Sequence, residues 1–280
     1  MKNKICNFVI IILSLFVWIP FIMILSSTLM PVDEIKQNFG AVLLNDDGYA
    51  SWNLIPKYIS LKPLIELLLD SPEFFVMFWN SVKLVLPILL GQVVISVPMA
   101  WGLVNFNKCK LRKIIFGIYM VLMVMPFQVS MVSNYLVLDK LHILNTRFSI
   151  ILPAIFSTFP VFILYQFFKG IPKEIIEAGE IDGANNFQIF ISIAIPMGRS
   201  GIISILILGF LEYWNLIEQP LAFLKDSDLF PLSLYISKIS YENIGIATVS
   251  AFIMLLPSLL VFLYGQTYLE DGIKASGMKE

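Results

Sequence analysis

The sequence predicts an all-α, polytopic membrane protein with six transmembrane helices and both N- and C-termini cytoplasmic. Three observations predict it. First, 58% of the 280 residues are hydrophobic, only 14% are charged and mean hydropathy is +0.83, whereas charged residues make up about a quarter of a soluble domain. Second, apolar runs near the ~20 residues that cross a bilayer occur at 8–29, 78–104, 114–138, 148–168, 202–224 and 246–269. Third, with the N-terminus inside, eleven Lys and Arg fall on cytoplasmic segments and seven on the longer outer segments, with Lys83 left in a span to snorkel outward. The basic stretch 107–113 is the strongest single anchor of that orientation.

Composition also excludes partners. A net charge of −1 without any long Lys/Arg run argues against nucleic acid and leaves the lipid bilayer as the solvent of most of the chain. Cys6 and Cys109 both fall on segments assigned to the cytoplasm, so no disulfide is expected. The basic start and the apolar run 8–29 also resemble a secretory signal, but the run is of spanning length and no small-x-small site follows it; it reads as a retained first span.

Taken in order, the chain reads as one transmembrane domain over 1–280, with a long external loop at 30–77 and a polar cytoplasmic loop at 169–200. In the outer loop Pro63, followed by Leu64, Leu67 and Leu68, predicts a short amphipathic helix, and Ser71 and Pro72 look like the start of the second span. The remainder reads as a solvated connector. Prolines 20, 87, 98, 126, 153, 160 and 257 lie inside the predicted spans. Because membrane helices tolerate proline, their presence alone places no break.

The most informative stretch is 170–200, which holds four acidic side chains (Glu174, Glu177, Glu180, Asp182) and two basic ones (Lys173, Arg199) between two apolar runs. Pro172 suits a helix start, Gly179 and Gly183 bracket a break, and Asp182 is placed to cap a second helix. Phe187, Phe190, Ile191 and Ala194 then repeat at helical spacing until Pro196, forming one apolar face. Two readings stand: an amphipathic segment lying on the bilayer, or two short helices with a glycine elbow that docks on a protein. The net negative charge is unfavourable against anionic lipid.

A second polar set lies in the fifth run. At 1.5 Å per residue Glu212 is roughly 16 Å into a helix that begins near Gly201. Glu212, Asn215 and Gln219 fall within about 60° on a helical wheel, with Trp214 and Tyr213 beside them as ring platforms. Such a stripe either lines a substrate path or bonds neighbouring helices. Gln92, Ser96, Gln128, Ser130, Ser133 and Asn134 are further polar candidates.

Catalytic and cofactor signatures are missing from the sequence. No G-x4-G-K-[ST] occurs, a single histidine (His142) stands far from either cysteine, and no hydrolase motif is present. No enzyme activity, metal or cofactor is implied, and His142 reads as a loop residue.

Glu177-Ala178-Gly179, then Gly183 after three residues, Ile193 after nine more, and Ile195-Pro196, resemble the EAA motif of ATP-binding cassette importer permeases, EAA-x3-G-x9-I-x-L-P. Every spacing matches; Gly179 replaces the second alanine and Ile195 the leucine. The string EAGEIDGANNFQIFISIAIP is similar to the carbohydrate branch, and WNSVKLVLPILLGQ, PAIFSTFPVFILYQFFKGIPKE, FLEYWNLIEQPLAFL and YLEDGIKASGMKE extend the likeness to a maltose-type inner permease with six spans. The resemblance implies a permease subunit of an ATP-driven sugar importer, working with a second permease subunit, two cytoplasmic ATPase subunits and an external substrate-binding protein. It implies ATPase contact through Glu177, Ala178, Gly179, Asp182, Gly183, Ala184, Phe187 and Pro196, with the face through Phe187 and Phe190 anchored beneath the spans. It also places the tail 272–279 near the ATPase. A permease for another solute, such as a sugar phosphate, or a stand-alone secondary transporter are the competing readings; the latter would bring paired ionisable residues or inverted repeats that the sequence lacks.

Overall fold

The computed structural model describes residues 2–44, 49–51, 53–105 and 110–277. Cys109 and the end of the C-terminal tail, 278–280, lie outside the described residues. Helices account for nearly all regular structure, and no strand occurs among the described residues. Among the described residues four helical stretches are long and apolar enough to cross a membrane: Cys6–Ser27, Pro72–Asn105, Phe148–Lys169 and Tyr241–Glu270. Two bent pairs, Arg112–Val124 with Phe127–Lys140 and Asn186–Met197 with Arg199–Trp214, bring the total to six if each is one span. The chain forms two compact units, 1–77 with 234–257 and 78–233 with 258–280.

In the first unit, helix α1 (Lys2–Ser27) is apolar, and its side chains from Cys6 to Trp18 are exposed. Helix α2 (Val32–Leu43) lies in the predicted outer loop, where only a connector was expected between the first span and residue 62. Pro31 precedes its first turn, Asp33 and Glu34 favour its positive end, and Ile35 is fully buried with Met30 and Ile244. Gly40 lets the Tyr241 ring close onto the helix, since a Cβ there would meet Tyr241 Oη at 2.5 Å. Helix α3 (Lys62–Asp70) forms as the sequence predicts, with Pro63 in its first turn and Leu67 buried. The Ser71 hydroxyl donates to the Glu66 carbonyl at 3.3 Å as α4 (Pro72–Asn105) begins.

Residues 49–51 and 53–60 form a strap held by two buried polar side chains of α2. The Glu34 carboxylate, 4% exposed, accepts the Lys57 amide with both oxygens at 3.1 and 3.2 Å. Asn38 Oδ1 accepts from Ser51 Oγ at 2.7 Å and Asn53 Nδ2 at 3.2 Å, while the Ser51 amide donates to the Asn38 carbonyl at 2.9 Å. The Ser26 hydroxyl donates to the Leu54 carbonyl, and the Ser60 amide to that of Leu29. A buried carboxylate is tolerable because its acceptors are used.

In the second unit the prolines sort into two groups. Pro87 and Pro98 stay inside α4. Pro126 does not: α5 (Lys110–Val124) and α6 (Phe127–Lys140) bend by 103° there, so the third run is a broken rather than a straight span. Pro126 cannot donate to the Leu122 carbonyl, which instead accepts the Met125 amide at 3.2 Å. The fourth run likewise parts into α7 (Phe148–Ile155) and α8 (Thr158–Lys169), with Pro160 in the first turn of the latter. Beyond it come α9 (Lys173–Ile181), α10 (Asn186–Met197), α11 (Arg199–Trp214) and α12 (Glu218–Phe223). The core joins Val97, Ala100 and Trp101 of α4, Leu164 and Phe168 of α8, Ile189 and Ala194 of α10, and Ile205 of α11.

Arg147 donates to Asn80 Oδ1 at 2.9 Å, and Asn80 Nδ2 donates to the carbonyls of Asp228 at 2.6 Å and Phe230 at 3.1 Å. These bonds mount the 224–233 loop on α4. His142 is a turn residue with φ of 56°.

Replacing Glu34 or Asn38 by alanine should release the strap, because each removes the acceptor that holds it, at about 0.5–1.5 kcal/mol per lost hydrogen bond. Limited proteolysis of the purified protein should then cut within 49–61 faster than in the parent; equal cutting rates would show that the strap is held by other means.

Candidate functional site

The polar island is built as two helix ends placed back to back. Helix α9 stops in a Schellman motif: the Gly183 amide donates to the Glu180 carbonyl at 3.1 Å and the Ala184 amide to that of Gly179 at 3.0 Å. Gly183 takes φ of +84°, which explains the glycine. The second helix starts two residues later with a capping box, Asn185 Oδ1 accepting from the Gln188 amide at 2.9 Å and Gln188 Oε1 accepting from the Asn185 amide at 2.8 Å. The expected cap, Asp182, is instead the last residue of α9 in helical conformation. A Schellman stop spends that position on ending one helix, so the cap of the next passes to Asn185.

Gly179 lies inside α9 rather than at the break. Its missing side chain lets α9 approach α10, since a Cβ would come within 2.9 Å of Ile193 Cδ1. In α10 residues Phe190–Ala194 form a π turn before Pro196, and the Ile195 amide donates back to the Phe190 carbonyl. That widened turn rotates the face expected from helical spacing. Ile189 and Ala194 are buried and Phe190 stacks on Trp101 at 6.3 Å, but Phe187 is 71% exposed. Phe187 therefore does not anchor the elbow beneath the spans. Pro196 sits in the last turn of α10, and the chain bends by 66° into α11 at Gly198.

The outer surface of the elbow thus presents Phe187 and Ile181, the latter 85% exposed, beside exposed Ala178 and Asp182. Ile181 was not singled out from the sequence; an isoleucine in an acidic turn was its only signal. Glu177 faces a cleft of about 490 Å³ shared with Glu180, Arg112, Lys169 and Lys173.

The second candidate site is a pocket of about 610 Å³, formed where three helical runs break. Met125 and Phe127 flank the first break, Phe156 and Ser157 the second, and Glu212 and Gln219 the third. Tyr213, Ser130 and Asn134 complete its polar wall. The wheel that grouped Glu212, Asn215 and Gln219 does not apply, because α11 ends at Trp214 and Gln219 belongs to α12. A continuous helix would have driven Pro220 against the Leu216 carbonyl. Asn215 caps α11, its Nδ2 donating to the Leu211 carbonyl at 2.8 Å, and does not line the pocket. Trp214 is buried, stacked on Phe210 at 5.3 Å and edge-on to Phe78 at 5.7 Å, so it offers no ring face to the pocket.

Gln92, buried in α4, holds the pocket wall. Its Nε2 donates to the Ala154 carbonyl at 2.8 Å and to Tyr213 Oη at 2.9 Å. Gln128 Nε2 meets the Glu218 carboxylate at 2.7 and 2.8 Å, tying α6 to α12. Ser96 and Ser130 spend their hydroxyls on carbonyls of their own helices.

A bundle of apolar, proline-broken helices around a polar pocket, with an acidic elbow outside it, defines a membrane permease. The family model described as the binding-protein-dependent transport system inner membrane component matches residues 92–275. The chain belongs to that family, and is a multi-pass component of the cytoplasmic membrane. It is 26% identical over 263 residues to the arabinooligosaccharides transport system permease protein of Halalkalibacterium halodurans, covering 93% of this chain and 90% of the relative. It is 30% identical over 205 residues to the lactose transport system permease protein of Rhizobium radiobacter, covering 71% and 74%. In fold it resembles a chain in the crystal structure of a bacterial ABC transporter involved in the import of the acidic polysaccharide alginate, with a TM-score of 0.77, 21% identity and coverage of 95% and 96%.

Gly183→Val should cost about 1–2 kcal/mol, the penalty of a side chain in left-handed conformation. Hydrogen exchange of the amides in 179–189 should accelerate; protection equal to the parent would show that the Schellman stop is not what fixes the elbow.

Proposed function

We propose that this chain is a permease subunit of an ATP-driven importer for sugars or oligosaccharides. It forms half of the translocation path, with a second permease subunit completing the path, an external substrate-binding protein delivering the cargo and two cytoplasmic ATPase subunits supplying the energy. In this arrangement 1–280 is a single permease domain, both termini and residues 169–200 face the cytoplasm, and the outer loop 30–77 faces the binding protein.

The observation that carries the proposal is the elbow. Two helix ends fixed back to back by a Schellman stop and a capping box project Ile181 and Phe187 outward on a rigid support. Exposed apolar side chains ringed by acidic ones suit a protein groove with basic edges better than a lipid surface. Glu177, Ala178, Gly179, Asp182, Gly183, Ala184 and Phe187 make up this surface or its immediate support, and Pro196 ends the helix behind it. The cargo assignment follows the permeases for arabinooligosaccharides and lactose, and a pocket lined by aromatic side chains, hydroxyl and amide groups and the Glu212 carboxyl suits polyhydroxylated cargo.

Phe187→Asp together with Ile181→Asp should abolish recovery of the ATPase in a pull-down on the tagged permease, and Glu177→Arg should weaken it. Unchanged recovery and transport in all variants would overturn the docking surface, and gradient-driven uptake by this chain alone would overturn the assignment to an ATP-driven importer.

Glu212→Ala or Gln219→Ala should reduce sugar uptake several-fold while the complex still assembles, whereas Trp214→Phe should leave the pocket wall intact. Full uptake by both pocket variants would remove the pocket from the path.

A further inference from the structure

The charge of the pocket is one-sided. Among its lining residues Glu212 carries the carboxyl group, and no lysine, arginine or histidine lines it. Glu212 is exposed on the wall, so its carboxylate is available to whatever enters. Gln219 lines the same wall, but its Oε1 is buried and is not presented to the pocket. Glu218, one residue earlier, is already held by Gln128. The wall therefore offers acceptors to a hydroxyl donor and no cation to a carboxylate, sulfate or phosphate. An anion entering would lose hydration and meet a like charge, which a site of limited dielectric penalises strongly.

We infer that this pocket selects neutral polyhydroxylated cargo against anionic sugars, uronates and sugar phosphates alike, with Glu212 as the residue that rejects the anion. The inference rests on the pocket being part of the sugar path. It separates this chain from the importer it resembles in fold, whose cargo is an acidic polysaccharide, and it disfavours the sugar-phosphate alternative. Discrimination of this kind comes from repulsion as much as from attraction.

The potential can be read without knowing the cargo. In the full importer complex in nanodiscs, with the native thiols removed by Cys6→Ser and Cys109→Ser, Ser130→Cys places a thiol on the pocket wall. Its modification rates by a cationic (trimethylammonium-ethyl) and an anionic (sulfonato-ethyl) methanethiosulfonate are compared by mass spectrometry of this chain. The cation-to-anion ratio should exceed that of a small thiol in solution by about fivefold or more at low salt, shrink as salt is raised, stay high with Glu212→Asp and fall to the solution value with Glu212→Gln. A ratio at or below the solution value, or one that Glu212→Gln leaves unchanged, overturns the inference. If Glu212→Gln does not assemble, the ratio and its salt dependence in the Ser130→Cys background decide the question alone. Uptake of a labelled neutral trisaccharide and a labelled uronate dimer by the same complex separates the two levels. Uronate uptake equal to or above neutral uptake overturns the selection, whereas no uptake of either overturns the sugar path on which it rests.

Discussion

The backbone's need for hydrogen bonds in lipid governs most of what this structure does. Each break in a membrane helix frees carbonyls and amides that hydrocarbon cannot satisfy, so irregular backbone survives there only where protein or a cavity takes over. The three breaks in the second unit meet these terms. The Ala154 carbonyl, at the end of α7, receives the Ser157 amide and Gln92 Nε2; the Leu211 carbonyl, at the end of α11, receives Asn215 Nδ2. The Leu122 carbonyl is closed by the Met125 amide. With the backbone served in this way, the breaks can open a pocket between them without leaving it lined by orphaned main chain.

That constraint also divides the polar residues of the spans into two trades. Gln92, Asn215, Ser96 and Ser130 are spent on backbone carbonyls, which removes them as cargo ligands. Glu212 keeps its carboxylate exposed on the pocket wall. From the sequence alone Asn215 and Gln219 looked equivalent, because both fall near Glu212 on a helical wheel; the wheel held only as long as the helix did.

The same limit explains what could and could not be read from the residues. The apolar runs, the Pro63 helix and the glycine elbow were legible because each depends on local chemistry: transfer free energy, a fixed φ, a positive φ. Pro126 and Pro160 mark breaks while Pro87 and Pro98 do not, and nothing within a few residues of each distinguishes them. Helix α2 was legible in Pro31, Asp33, Glu34 and the spacing of Ile35 and Phe39, but its length is well short of a span and it lies in a segment that composition alone marks as outside. The capping box Asn185-x-x-Gln188 is likewise a local pattern, whereas Asp182 merely stands next to the glycine that ends α9. The burial of α10 was not legible in full: Ile189, just before the π turn, and Ala194, at its end, are buried, whereas Phe187, ahead of the turn, is exposed.

The elbow and the pocket lie on one contiguous run of packed residues. Ile189 and Ala194 of α10 are in the same buried cluster as Phe168 of α8 and Trp101 of α4, and Gly198 lets the Phe168 ring lie against the bend, where a Cβ would meet it at 2.4 Å. Helix α4 carries that contact from Trp101 up to Gln92, which holds Tyr213 on the pocket wall. Helix α4 runs unbroken through this stretch despite Pro98, so the elbow and the pocket wall rest on one continuous helix, and the bends lie outside it, at Gly198 and at the breaks around the pocket.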